Sequence, residues 1–160
     1  MNLIELAQSK GISICTAESI TSGGLVSELT KTPGASKVVL GGMVVYQDQI
    51  KSQLLGVSKS LIESQSAVDP EVAAQMALSS LAKFARAAGQ EHGQVLAIAT
   101  TGVAGPERVA EKPAGTVFFA LAHGESVAVY QEFFAGDRDS ITRQAIAKGV
   151  ELIREHLERI

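Results

Sequence analysis

The order of strand and helix signals along the chain narrows its possible folds more than any other feature. Short apolar runs alternate with helical segments over the first hundred residues, and two adjoining strand signals then flank the turn His123-Gly124-Glu125. Alternating units favour parallel strands, whereas strands joined by a tight turn form an antiparallel hairpin. The sequence therefore predicts an α/β fold whose mixed sheet includes an antiparallel hairpin and carries helices on both faces.

Local signals place the elements within this fold. Strands are predicted over residues 12–16, 38–46, 94–100, 115–122 and 126–133. Helices are predicted over residues 3–10, 25–32, 49–55, 70–88 and 140–158. Asn2, Asp48 and Asp69 are the predicted N-caps, and residues 101–114 form a predicted loop between the third and fourth strands. The strand 38–46 is expected to carry a glycine bulge at Gly41-Gly42.

Length and composition exclude several classes of protein. A chain of 160 residues is most simply one domain, residues 1–160, and its net charge of −3 gives no basic footprint for nucleic acid. The longest uncharged apolar stretch, 38–46, is too short to cross a membrane. The single cysteine, Cys15, can form no internal disulfide and is predicted to be a core residue. The default compartment is therefore the cytoplasm.

The segment Thr16-Ala17-Glu18-Ser19-Ile20-Thr21-Ser22-Gly23-Gly24 joins the first strand to the next helix. In α/β proteins ligands bind at the carboxyl edge of the strands, and anions favour helix N-termini. A hydroxyl-rich turn that ends in glycines lets a substrate approach the backbone closely. Serine and threonine also cap ordinary strand-to-helix connections, so position alone leaves both interpretations open.

Three sets of polar residues follow predicted strands or begin helices: Ser19, the pair Tyr46 and Lys51, and Thr100-Thr101. A serine hydroxyl is a weak nucleophile until a base takes its proton, and a lysine with a lowered pKa can serve as that base. The alternative is a half-buried tyrosine at a strand end and a solvated lysine on a helix surface. After the first strand, the glycine pattern of a dinucleotide-binding fold is missing.

The three histidines do not adjoin these residues in the predicted layout. We expect His92, His123 and His156 to be surface residues with structural roles. The sequence contains no paired His/Cys spacing of the kind that binds zinc, so no metal site is predicted.

Two further segments could bind an anion. The loop Thr101-Gly102-Val103-Ala104-Gly105-Pro106 has the composition of a backbone cradle for a phosphate or carboxylate, although glycine turns are also common structural features. Arg138 and Arg143 begin the last helix, where Arg138 could clamp a phosphate or pair with Asp137 and Asp139 at the surface.

Taken together, these segments resemble the nicotinamide-nucleotide amidase family, the C-terminal domain of competence/damage-inducible protein CinA. The motifs that carry the resemblance run in order over nearly the whole chain. They are Thr16-Ala17-Glu18-Ser19-x-Thr21-x-Gly23, Pro33-Gly34-Ala35-Ser36, Gly42-x-Val44-x-Tyr46 with Lys51, Leu55-Gly56-Val57, Ala67-Val68, Thr101-Gly102-Val103-Ala104-Gly105-Pro106, Lys112-Pro113-x-Gly115-Thr116-Val117, and Gly136-Asp137-Arg138 with Arg143-Gln144.

The resemblance implies a three-layer α/β/α fold and hydrolysis of the carboxamide of nicotinamide mononucleotide, which feeds NAD recycling. Nicotinate mononucleotide and ammonia would be the products. It also implies a homodimer and no required metal or cofactor. A catalytically weak pyridine-nucleotide-binding module and a non-catalytic interaction protein are the alternatives.

Carried onto this sequence, the family pattern implies Ser19 as nucleophile, Lys51 as general base, and Tyr46 as a hydrogen-bonding or proton-transfer partner. Backbone N–H groups of residues 21–23 would support the oxyanion. These three residues are Thr21, Ser22 and Gly23. The phosphate group of the mononucleotide would be bound by Thr101, Gly102 and Gly105 together with Arg138 or Arg143.

The sequence departs from the family pattern at two places. Ser22 stands where family members usually have the first of two glycines, and the stretch 107–111 is shorter than the usual loop and lacks its glycines. Both departures bear on how a substrate fits the site.

Overall fold

A computed structural model describes all residues, 1–160. The helices are α1 (Leu3–Ser9), α2 (Gly24–Thr30), α3 (Asp48–Leu55), α4 (Lys59–Gln65), α5 (Pro70–Ala88) and α6 (Arg138–Arg159). The strands are β1 (Ser13–Glu18), β2 (Val39–Val44), β3 (Val95–Gly102), β4 (Thr116–His123) and β5 (Ser126–Phe133). No helix is both long enough and apolar enough to span a membrane.

The five strands form one open mixed sheet in the order β2-β1-β3-β4-β5. β1 pairs in parallel with both β2 and β3, whereas β3, β4 and β5 pair antiparallel to one another. The register between β1 and β2 shifts once, opposite the segment that leads into Gly41, so the expected bulge is present. The predicted mixed sheet with an antiparallel hairpin is confirmed.

Helices cover both faces of this sheet and create two apolar cores. One core packs α1, α2 and α6 against the sheet through residues such as Leu25, Ile98 and Ile153. The other packs α5 against the opposite face through residues such as Met76, Leu81 and Ala97. The fold is therefore the three-layer α/β/α arrangement, and it brings the carboxyl ends of the parallel strands to one edge.

Local cap chemistry explains where several helices begin and end. Asn2 forms a capping box with Glu5 at the start of α1, and Asp69 accepts hydrogen bonds from two N–H groups at the start of α5. Gly56 ends α3 in the left-handed conformation, as its position after the helical pattern predicts. Cys15 is buried as expected, and burial raises the pKa of its thiol to about 12.

Other predicted boundaries need correction. β1 extends two residues past the predicted end at Thr16, because Glu18 is held inside the protein by hydrogen bonds. α4 was not predicted; it is a single short helix capped by Ser58. Asp48 is the first residue of α3 rather than its cap, since Gln47 occupies the N-cap position without a side-chain hydrogen bond. Thr101 belongs to β3 rather than to the loop that follows.

Two of the histidines that were expected to be surface residues with structural roles, His123 and His156, contact each other at the edge of the sheet opposite the carboxyl ends of the parallel strands. His123 Nε2 lies 2.9 Å from the Gly93 carbonyl oxygen, so this nitrogen carries a proton and donates it. His156 Nε2 lies 3.1 Å from His123 Nδ1 and therefore donates to it in the neutral pair. Burial, then His123 and Arg159, lower the pKa of His156 below its ordinary value.

We expect this pair to make stability depend on pH. In the unfolded chain His156 takes up a proton near pH 6.5, whereas folded His156 resists protonation, so the free energy of unfolding falls as pH drops below 6.5. His156→Gln removes this contribution and should flatten the decline between pH 7.5 and pH 5.5, measured by urea denaturation. His92→Gln, at an exposed histidine outside the pair, is the control and should follow the parent. An unchanged pH slope in His156→Gln would contradict the expectation.

Candidate active site

The site is built on the turn between β1 and α2, and the buried Glu18 carboxylate organises that turn. Glu18 is fully buried and accepts five hydrogen bonds of 2.6–3.0 Å. The donors are the hydroxyls of Thr16 and Thr21 and the N–H groups of Gly23, Leu25 and Val26. A buried carboxylate is stable only when it is paired in this way.

Glu18 also replaces the missing cap of α2. Gly23 occupies the N-cap position and has no side chain to bond the free N–H groups of the first turn. The carboxylate supplies that acceptor and places a negative charge at the positive end of the helix. A buried Thr21 hydroxyl links this network to β3, because it lies 2.8 Å from the hydroxyl of Thr100.

Ser19 follows Glu18 directly and lines a cavity of about 510 Å³ at the carboxyl edge of β1, β2 and β3. Its N–H donates to the Thr100 carbonyl, which fixes the backbone against β3. The residue is 8% exposed. The volume lies within the usual range for small-molecule sites. The charged residues of the lining are Asp48, Lys51, Glu107, Arg108 and Arg138.

Lys51 lies in the same cavity as Ser19, as the sequence predicted for both residues. Although it carries an ammonium group, Lys51 is only 1% exposed. Its Nζ donates to the carbonyl oxygen of Tyr46 at 2.7 Å, and the Asp48 carboxylate lies 4.0 Å away. Burial lowers the pKa of Lys51, and Asp48 opposes part of that shift. The structure thus contradicts the alternative of a solvated surface lysine.

Tyr46 lies in the cavity lining, but its hydroxyl does not bridge Ser19 and Lys51. The phenol oxygen accepts a hydrogen bond from Arg138 at 2.8 Å, and the tyrosine is 55% exposed. The other terminal nitrogen of Arg138 donates to the Gly105 carbonyl at 2.7 Å. Arg138 therefore joins the β2–α3 connection to the β3–β4 loop across the cavity, and it does not pair with its acidic neighbours in sequence.

The segment 66–68 forms another wall, and sequence reasoning gave it no role beyond the Ala67-Val68 motif. Ser66 has φ +72° and ψ 170°, a backbone conformation that costs free energy for any residue except glycine. The Thr101 hydroxyl donates to the Ala67 carbonyl at 2.7 Å, and Lys112 donates to the Gln65 carbonyl. These two bonds hold the strained wall against β3 and the following loop.

The structure separates four predicted binding residues from the cavity. Ser22 is exposed, and its N–H donates to the Ser19 carbonyl. The Gly23 N–H and the Thr21 hydroxyl both donate to Glu18. The expectation that the N–H groups of residues 21–23 support an oxyanion is therefore wrong for Ser22 and Gly23, whose N–H groups already have acceptors, and Thr21 does not line the cavity. The fourth residue, Arg143, pairs with Asp139 on the surface of α6.

Thr101, Gly102, Gly105 and Arg138 do line the cavity, as expected. Ile20 lines it too, and no hydrogen bond within the chain uses its N–H group. Sequence reasoning missed this group, which lies directly after the candidate nucleophile. Within the structure no cluster of three or more His, Cys, Asp or Glu residues could hold a metal ion.

The fold and the site define a three-layer α/β protein in which a serine hydroxyl and a buried lysine share one cavity at the sheet edge. Residues 1–157 match the family model described as the CinA C-terminal domain. The chain therefore belongs to the CinA C-terminal domain family.

Curated relatives agree with this family. A putative competence-damage inducible protein of Caldanaerobacter subterraneus subsp. tengcongensis is 36% identical over 162 residues, which cover 98% of this chain and 36% of that protein. A CinA-like protein of Geotalea daltonii is 42% identical over 137 residues, covering 85% of this chain and 31% of that protein. The chain thus spans about a third of the length of these relatives.

Solved structures match over almost their full length. The competence damage-inducible protein A (ComA) of Klebsiella pneumoniae has a TM-score of 0.84 at 28% identity, covering 99% of this chain and 98% of that chain. The competence/damage inducible protein CihA of Agrobacterium tumefaciens has a TM-score of 0.82 at 30% identity, covering 98% of this chain and 95% of that chain. These likenesses confirm the three-layer fold.

The Glu18 network predicts a large loss of stability when its charge is removed. In Glu18→Gln an amide N–H₂ group faces buried donors, so we expect the free energy of unfolding to fall by about 3 kcal/mol, measured by urea denaturation. Glu28→Gln, at an exposed carboxylate of α2, is the matched control and should change it by less than about 0.5 kcal/mol. Equal stabilities of the two variants would show that the network contributes little.

We expect a substitution at Ser22 to raise the free energy of unfolding, in contrast to the substitution at Glu18. It has φ +51°, in the left-handed region where glycine is favoured, which explains why family members usually have glycine there. We expect Ser22→Gly to raise the free energy of unfolding by about 0.5 kcal/mol, since relief of backbone strain exceeds the entropic cost of glycine. Ala110→Gly, at the same φ in an exposed loop, is the comparison. A loss of stability at position 22 would contradict this expectation.

Proposed function

We propose that the chain hydrolyses the carboxamide of nicotinamide mononucleotide to nicotinate mononucleotide and ammonia, with Ser19 as nucleophile and Lys51 as general base. The observation that carries the proposal is the burial of Ser19 and Lys51 in one cavity at the carboxyl edge of the parallel strands. A lysine that is nearly withdrawn from water loses its proton more readily than an exposed one. Family membership and the match to the amidase motifs support the same reaction.

The proposed chemistry proceeds through an acyl-enzyme. Ser19 Oγ attacks the carboxamide carbon while neutral Lys51 takes the hydroxyl proton, which gives a tetrahedral oxyanion. Lys51 then returns the proton to the nitrogen as the C–N bond breaks, so ammonia leaves and an ester on Ser19 remains. Water, deprotonated by Lys51, hydrolyses the ester to nicotinate mononucleotide and restores the Ser19 hydroxyl.

The unpaired Ile20 N–H is the proposed oxyanion donor in place of the groups at positions 22 and 23. It belongs to Ile20, the residue after the nucleophile, which lines the cavity. A backbone N–H that already lacks an acceptor needs no rearrangement before it stabilises a developing negative charge, and such a donor is worth about 3 kcal/mol in the transition state.

The remaining polar residues of the cavity could bind the phosphate group of a mononucleotide. Arg138 and Arg108 are cations on the side of the cavity formed by α6 and the β3–β4 loop, and a guanidinium can bind phosphate through two N–H groups. Gly102 and Gly105 line the cavity beside these cations, and internal packing requires glycine at both, since a Cβ at either position would come within 2.8 Å of a neighbouring atom of the chain. Thr101 is proposed to act indirectly, by holding the Ala67 wall, because its hydroxyl is already bonded.

The family resemblance also supports a homodimer. Val127, Val129 and Phe133 are exposed apolar residues on the edge strand β5, and we propose this strand as the surface for a second copy.

A binding module with weak turnover is the second candidate function. The bond between Tyr46 and Arg138 favours it, since the phenol is directed away from a bridging position between Ser19 and Lys51. Saturable binding of the mononucleotide by the pure protein, with no ammonia released, would identify this function.

Substitutions of the two buried residues test the amidase. Ser19→Ala and Lys51→Met should each lower ammonia release from nicotinamide mononucleotide by about a thousandfold or more, because the nucleophile or its base is lost. Lys59→Met, at an exposed lysine of α4, is the matched control and should retain parental turnover. In the parent, the rate should rise with pH through the lowered pKa of Lys51, since only neutral Lys51 accepts a proton. Near-parental turnover in Ser19→Ala or Lys51→Met would contradict the proposed mechanism.

A further inference from the structure

Asp48 is a charged residue of the cavity for which neither the fold nor the proposed reaction accounts. It is the first residue of α3 and does not cap this helix. The N-cap is Gln47, whose side chain makes no capping hydrogen bond either. Its carboxylate lies 4.0 Å from Lys51 Nζ and is the one carboxylate within ion-pair distance of that nitrogen. The Asp48 side chain is 63% exposed, so it can meet a ligand that enters the cavity.

The charged and polar groups that share the cavity with Lys51 come from four segments of the chain. Asp48 lies on the same helix, Tyr46 on the preceding connection, Glu107 and Arg108 on the β3–β4 loop, and Arg138 on α6. Of these groups only Asp48 and the Tyr46 carbonyl contact the lysine nitrogen. The negative charge nearest the Lys51 nitrogen therefore belongs to Asp48, whereas the Glu18 carboxylate beside Ser19 is buried and already accepts five hydrogen bonds.

We propose that Asp48 is a specificity-determining residue whose carboxylate pairs with Lys51 in the free site and with the positive ring of a bound pyridinium carboxamide. This inference rests on the proposed function, in which the carboxamide lies against Ser19 and Lys51. Since the carboxamide is attached to the ring, the ring's positive charge comes close to Asp48. The site thereby selects a quaternised pyridine nucleotide over an uncharged analogue of the same shape.

The same exchange of partners prepares Lys51 for catalysis. In the free site Asp48 favours the ammonium form of Lys51, in opposition to burial. A cationic ring that binds between them satisfies the carboxylate and repels the ammonium, so Lys51 releases its proton to solvent and becomes the neutral base. The charge of the substrate thus activates the base that deprotonates Ser19, and an uncharged ring cannot produce this effect.

Two forms of one ligand differ in ring charge and keep the same polar substituents. Nicotinamide mononucleotide and its reduced dihydropyridine form share the phosphate, ribose and carboxamide, and reduction removes the positive charge of the ring while adding one hydrogen to a ring carbon. Binding is measured by calorimetry in a Ser19→Ala background, which prevents turnover. We expect Asp48→Asn to weaken binding of the oxidised form about tenfold and to change binding of the reduced form less than twofold.

Glu63→Gln is the matched control, since it also removes one negative charge from a helix. The Glu63 carboxylate pairs with Lys59 and lies outside the cavity. It should alter the affinity of neither form by more than twofold. An equal loss for both forms in Asp48→Asn, or no loss for either, would overturn the selectivity assigned to Asp48.

A measurement on the free protein separates this inference from the proposed function. The Lys51 Nζ signal, assigned by its absence in Lys51→Met, is titrated by NMR in the parent and in Asp48→Asn. We expect a lower pKa for Lys51 in Asp48→Asn, and an unchanged pKa would overturn the pairing whatever ligand the site takes. If neither mononucleotide binds Ser19→Ala, the proposed function and the ring selectivity are both wrong, while a lowered Lys51 pKa would still support the pairing.

Discussion

The junction between β1 and α2 depends on one buried negative charge. The Glu18 carboxylate accepts hydrogen bonds from two hydroxyls and three N–H groups. Because these donors come from both sides of the turn, the carboxylate fixes the path of the chain on each side of Ser19. The position of the candidate nucleophile at the sheet edge is thus a consequence of how a buried charge is neutralised by hydrogen bonds.

Signals that act over a few residues were sufficient for most of the fold. The caps at Asn2 and Asp69, the glycine that ends α3 and the turn at 123–125 each determine local backbone geometry, and their elements formed as predicted. α4 escaped prediction because it is seven residues long and carries few apolar residues in a helical period. The true end of β1 also escaped prediction, since a glutamate marks a strand as exposed unless the donors that surround its carboxylate are known.

The candidate site was likewise predictable only in part. Parallel strands end at a common edge, so sequence order was enough to bring Ser19, Lys51 and the Gly102–Gly105 loop together. Hydrogen-bond partners were not predictable in this way. Gly23 and Thr21 serve Glu18, and the phenol of Tyr46 bonds to Arg138, which lies 92 residues further along the chain. The bond between Tyr46 and Arg138 arises only when remote segments meet, whereas the bonds of Thr21 and Gly23 to Glu18 are local and depend on the conformation of the turn.

The bridge from Arg138 to Tyr46 and Gly105 makes the cavity depend on the last helix of the chain. Its guanidinium belongs to the first turn of α6, whereas the other walls come from segments that precede this helix. On the ribosome, a nascent chain can complete most of the sheet before this arginine emerges, yet the cavity still lacks one side. A small molecule that binds the closed cavity would therefore stabilise the finished protein, in which this bridge is present.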